Sequence, residues 1–158
     1  LGGSSGDHEP DTSGQVVGRP APSLVGTTTA GEPFDLASTK GKWVLVNFFA
    51  TWCPPCVAEH PQLVAFSERN AERAEVVSVA FDEPAPTIEA FFAEEGGDWP
   101  VVADDTGPIV LDYGVVKLPE SFLIAPDGTV VEKLAGGVTA EGLEATIADY
   151  EADGEGPA

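Results

Sequence analysis

The sequence predicts an α/β domain with a mixed central sheet flanked by helices, preceded by a β-hairpin and interrupted by a helix-containing insert. Runs of β-branched and aromatic residues alternate with stretches of helical spacing, which is the order of a layered α/β domain. The segment Trp43 to Phe49 is apolar almost throughout and suits a strand buried on both faces. The chain has 158 residues, 42% of them hydrophobic, enough for one core and too few for two.

Taken in order, residues 1–17 read as a flexible N-terminal tail, residues 18–150 as the folded domain and residues 151–158 as an acidic C-terminal tail. The chain starts at Leu1 without a Met, so its true N-terminus is expected to be missing, which leaves room for a signal or anchor ahead of it. Ser23 to Val25 and Pro33 to Leu36 flank a polar segment, as a hairpin would. After the strand at Trp43, helical spacing runs from Pro54 to about Arg73, with Val57, Pro61 and Val64 on one stripe and Leu63 and Phe66 beside it. Pro61 lacks a backbone donor and is expected to kink that helix. Val76 to Phe81 reads as a second buried strand. Pro84 to Glu95 reads as a helix facing inward through Ile88, Phe91 and Phe92. A short extended piece over Trp99 to Ala103 and a short helix over Gly107 to Tyr113 follow. Ser121 to Ala125, the Asp127-Gly128 turn and Thr129 to Leu134 make a second hairpin. Thr139 then caps a closing helix that buries Leu143 and Ile147 and carries Tyr150. The sheet is expected to be parallel in its first half and antiparallel afterwards.

The formal net charge is -20 and no basic footprint is present, which argues against a nucleic-acid partner. A well-solvated surface accounts for the charge, and attraction to basic substrate segments is the functional alternative. No apolar run is long enough to span a bilayer, and no glycine-rich cofactor motif is present.

The two cysteines stand three positions apart in Trp52-Cys53-Pro54-Pro55-Cys56. This is too few for a stapled scaffold, and a structural zinc site wants four ligands where only His8 and His60 could add to the pair. Redox use fits better. Thiol-disulfide exchange needs a thiolate to attack and a second thiol to resolve the mixed disulfide. A helix start favours the thiolate of the first cysteine and leaves the second more buried, so Cys53 is assigned as attacking and Cys56 as resolving. Pro54 and Pro55 remove two N–H groups that would otherwise hold a Cys53 thiolate. Cys53 is therefore expected near the ~7 of thioredoxin rather than the ~3.5 of strong oxidants, as a reductant would be. Trp52 either shields the disulfide or packs in the core.

Several stretches resemble signatures of the TlpA/DsbE (CcmG-like) branch of thioredoxin-fold thiol:disulfide oxidoreductases. They are Pro20-Ala21-Pro22 through Gly41-Lys42, Val46 to Cys56, Ala58-Glu59-His60-Pro61, Gly114-Val115 and Leu118-Pro119-Glu120-Ser121-Phe122-Leu123-Ile124. The resemblance covers about residues 18–150. It implies a thioredoxin-like fold in which Pro119 is cis, faces the cysteine pair and exposes the Leu118 backbone to an extended substrate. A trans proline opening a strand is the plain alternative. It also implies carboxylates near the active site. Glu59 is read equally as a proton carrier for Cys56 or as a bystander, and Glu83 first as a solvated carboxylate. Glu120 is similar to the DsbE-type proline-glutamate variant and is expected to help select substrate. His60 matches the same branch but otherwise reads as a solvated helix histidine.

Peroxiredoxins share the fold but require a hydroxyl residue three positions before the reactive cysteine, where this chain has Ala50, and a nearby Arg. The resemblance implies instead a reductant of disulfide-containing proteins, with apocytochrome c as first candidate substrate and a membrane thiol electron donor. It also implies a place on the extracytoplasmic face of the bacterial cytoplasmic membrane, on the periplasmic or cell-wall side. The alternatives are an oxidising foldase and a metal-binding module built on Cys53, Cys56 and His60.

Overall fold

The structure is a computed structural model in which residues 16–104 and 107–154 are described. Residues 1–15 of the expected tail, His8 among them, and the last residues 155–158 lie outside them. The hairpin pairs β1 (Val25–Thr27) with β2 (Pro33–Asp35) and is followed by a 3-10 turn over Leu36–Thr39. The chain continues as β3 (Trp43–Phe49), α1 (Pro54–Arg69), β4 (Ala74–Phe81), α2 (Ala85–Glu95), β5 (Val101–Asp104) and α3 (Pro108–Tyr113). It ends with β6 (Glu120–Ile124), β7 (Val130–Ala135) and α4 (Ala140–Gly154).

The five longer-range strands form one sheet in the order β5-β4-β3-β6-β7. β3, β4 and β5 run parallel, and β6 and β7 are antiparallel to their neighbours, as the order of elements requires. Alternate residues of β3 feed two cores. Leu45 and Phe49 face the layer that holds both cysteines, Leu63 and Leu143, whereas Val44, Val46 and Phe48 face Leu24, Tyr113 and Phe122. The first hairpin lies against the β5 edge, where Thr29 N–H donates to Val101 O at 2.9 Å. Asp127 Oδ1 accepts from Thr129 N–H at 2.9 Å and Gly128 takes φ 95°, so the Asp-Gly turn forms as expected. Thr139 Oγ1 accepts from the Gly142 N–H at 3.0 Å and caps α4.

Several expected boundaries move. Val16, which falls in the segment read as a tail, is buried in the second core. α4 runs on to Gly154, because Glu151 accepts from Trp43 Nε1 at 3.0 Å and pairs with Arg73 at 3.4 Å. α1 stops at Arg69, short of Arg73, because Asn70 leaves helical geometry and turns both its N–H and its side-chain amide onto Phe66 O. The helix continues through Pro61, which is exposed. Its buried face carries Cys56, Glu59, His60, Leu63 and Phe66, not the expected stripe of Val57, Pro61 and Val64. A hydrophobic count passes over that face because two of its members are polar.

Candidate active site

β3 delivers the chain into the loop Ala50 to Trp52 at its carboxyl end, and α1 begins at once. Cys53 occupies the N-cap with extended backbone (φ -94°, ψ 110°), and its Sγ accepts the N–H of Cys56 at 3.3 Å. Pro54 and Pro55 fill the first two helical positions and supply no N–H, so Cys56 N–H is the first-turn donor left for that sulfur. Cys53 and Cys56 are joined by a disulfide across a Cα–Cα distance of 5.2 Å.

The expected difference in depth between Cys53 and Cys56 is nearly absent in this oxidised form. The two residues are 4% and 3% exposed. Cys53 is drawn in because its N–H donates to Ala50 O at 3.2 Å and it packs in the same core as Phe49 and Ala50. Trp52 is 71% exposed, which removes the core-packing reading and leaves a large apolar side chain beside the pair.

Glu59 lies one turn after Cys56 on the buried face of α1 and is 4% exposed. Its carboxylate accepts from Asn47 Nδ2 at 2.9 Å and from Val138 N–H at 3.0 Å. Burial outweighs those two donors and pushes its pKa from 4.5 up to about 7. A carboxyl poised there can take and return a proton near neutral pH.

Glu83 is buried, contrary to the solvated reading. Asp82 takes φ 58° at the end of β4, and Glu83 beyond it accepts from Thr51 N–H at 3.0 Å and from the Thr51 hydroxyl. The glutamate thus ties down the loop that leads into Cys53. His60 is buried too, not solvated. Its Nε2 donates to Gly96 O at 2.7 Å and its ring packs on Phe91, Phe92 and Trp99. It turns toward α2 and away from any shared ligand set with the cysteines. Among the described residues no three His, Cys, Asp or Glu side chains gather as a metal would need.

The Leu118-Pro119 bond is cis. Glu120, the next residue, is buried and pairs with Lys133 at 3.2 Å. It also accepts from the backbone N–H groups of Val116 and Lys117 at 3.4 and 3.3 Å. Its oxygens therefore hold the loop before Pro119.

Sequence reading missed Asn47, Thr51 and Lys133. Asn47 had a usable signal, being the one polar residue inside the run Trp43 to Phe49. Lys133 and Thr51 had none, since a lysine in an edge strand and a threonine in a loop are ordinary.

The match to the Redoxin family spans residues 15–153. The chain is 36% identical over 129 residues to the thiol-disulfide oxidoreductase ResA of Bacillus thuringiensis subsp. konkukian, covering 81% of this chain and 75% of that protein. It superposes on a thiol:disulfide interchange protein of the thioredoxin family from Chlorobium tepidum with TM-score 0.75 and 32% identity, over 82% of this chain and 93% of that one. A secreted Mycobacterium tuberculosis disulfide oxidoreductase, homologous to E. coli DsbE, matches with TM-score 0.72 and 26% identity, over 80% of this chain and 95% of that one. The chain belongs to the Redoxin family and is a thioredoxin-fold thiol-disulfide oxidoreductase of the ResA/DsbE type, with Cys53 and Cys56 as its redox pair.

Proposed function

We propose that this Redoxin-family oxidoreductase is a reductant of disulfides in protein substrates outside the cytoplasm. The Cys53 thiolate attacks a substrate disulfide, forming a mixed disulfide and releasing one substrate thiolate, which takes up a proton. Cys56 gives its proton to Glu59 and attacks Cys53 Sγ. The Cys53–Cys56 disulfide forms, the second substrate thiolate leaves, and two electrons have passed to the substrate. A membrane thiol donor then returns the pair to the dithiol.

The observation that carries the reductant direction is the helix start. A strong oxidant needs a heavily stabilised thiolate. Here Pro54 and Pro55 withhold two first-turn donors, and the Cys53 sulfur accepts from Cys56 N–H. Leu118 and Pro119 form the backbone edge beside which an extended substrate pairs, with Glu120 fixing that edge from beneath. Trp52 supplies an exposed apolar surface for the same segment.

Haem-attachment cysteines of apocytochrome c are the proposed substrate, a reading supported by the DsbE-type Pro119-Glu120 sequence. The extracytoplasmic place is supported by the likeness to a secreted oxidoreductase. No helix among the described residues is long and apolar enough to cross a membrane. Equilibration with glutathione or dithiothreitol buffers tests the direction: the couple is expected near about -270 mV, and a value near about -120 mV would make the protein an oxidising foldase.

A further inference from the structure

The three central strands each carry one polar residue on the same rung. Asn47 on β3 stands opposite Ser78 on β4 and Ser121 on β6, and all three are buried. They line a hydrogen-bonded row that starts outside the sheet. Trp99 Nε1–H donates to Ser78 Oγ at 2.9 Å, and the Ser78 hydroxyl donates to Asn47 Oδ1 at 3.3 Å. Asn47 Nδ2 then donates to Glu59 at 2.9 Å and to Ser121 Oγ at 3.1 Å.

The direction of this row is set at its far end. An indole N–H only donates, so the Ser78 oxygen accepts there and its single proton goes to Asn47 Oδ1. The amide must then present its NH2 to Glu59. A flipped amide would aim its carbonyl at the carboxylate and leave the Ser78 proton without that acceptor in a buried site.

We propose that Trp99 is a positioning residue for Glu59: acting through Ser78, it locks the Asn47 amide so that an N–H, not a carbonyl, faces the carboxylate. This deepens the reading of Glu59 as the proton partner of Cys56 and rests on it for its use in the reaction. An N–H facing the carboxylate favours its charged form, and a facing carbonyl favours the protonated form. The groups around Glu59 leave this lock in control. On its own helix stand Cys56, in the disulfide, and His60, turned to Gly96 O. β3 and β6 present Asn47 and Ser121, and the segment before α4 presents Gly137 and the Val138 N–H. The causes of its shift are burial, Asn47 and Val138, with no neighbouring charge among them.

The test is a pH titration of the Glu59 carboxyl carbon by NMR in the native chain, in Trp99→Phe and in Ser78→Ala. Both variants are expected to raise the midpoint by about half a pH unit or more, roughly threefold in proton affinity, with Ser78→Ala the larger. Unchanged midpoints in both folded variants would overturn the lock. Should either variant fail to fold, the native protein still decides. The Trp99 indole resonance is expected to move with the Glu59 midpoint. A Trp99 indole indifferent to that step overturns the proposal. If the midpoints shift but Glu59→Gln leaves the pH dependence of thiol alkylation intact, the lock stands and the proton-exchange role falls.

Discussion

On one face of the sheet, buried Glu59 meets neutral donors, the Asn47 amide and the Val138 N–H. On the other face, Glu120 shares the side of Phe122 and is buried as deeply, but it meets Lys133 at 3.2 Å and two backbone N–H groups. The two carboxylates have the same chemistry and nearly the same burial, and the partner separates them. Without a cation, burial raises the proton affinity of Glu59 into the range where thiols exchange protons. Glu120, paired with Lys133, serves as a clamp on the loop before Pro119. In the proposed mechanism, one sheet thus divides proton transfer from substrate positioning between its faces.

The largest effect is expected at Lys133. Lys133→Met leaves Glu120 buried without its counter-charge and is expected to cost about 3–5 kcal/mol in chemical denaturation; adding Glu120→Gln should recover much of it. A Lys133→Met loss below about 1 kcal/mol would mean that the pair holds nothing. The next effect belongs to Glu59 and has a sign. Between pH 4.5 and about 7 the native state keeps the Glu59 proton while the unfolded chain releases it. Stability therefore falls as pH rises through that window, by about 3 kcal/mol, and this slope should be missing in Glu59→Gln.

In turnover, Glu59→Gln is expected to slow reduction of a protein disulfide by about 10- to 100-fold at neutral pH and to flatten the pH profile near the Glu59 midpoint. Stopped-flow fluorescence with a labelled disulfide substrate reads this directly. The smallest effect belongs to the α4 cap. Thr139→Ala removes the α4 cap next to Val138 and should cost about 1 kcal/mol of stability while the pH profile of reduction stays in place.

The elements that place the cysteines were legible in sequence because each has a local cause: the apolar run of β3, the prolines that start α1, the Asp-Gly turn and the Thr139 cap. The fate of the polar residues was not. Glu59, Glu83, His60 and Glu120 look alike in sequence as polar residues in or beside helices and strands, and all four are buried. What buries them is remote: Asn47 and Val138 for Glu59, Thr51 for Glu83, Gly96 for His60 and Lys133 for Glu120. Such pairings depend on strand register and loop placement, which periodicity does not encode. Near-equal burial of the two cysteines had the same kind of cause, since the Ala50 carbonyl that draws Cys53 inward belongs to the loop and not to the helix.

The proposed proton exchange turns on the proton affinity of one side chain, and site-resolved carbon NMR of the native protein, with Glu59→Gln to assign the resonance, reads it most directly. The Glu59 carboxyl should titrate with a midpoint of about 7. A midpoint at the ordinary 4.5 would contradict the division of labour between the two faces and leave Cys56 without its proton acceptor.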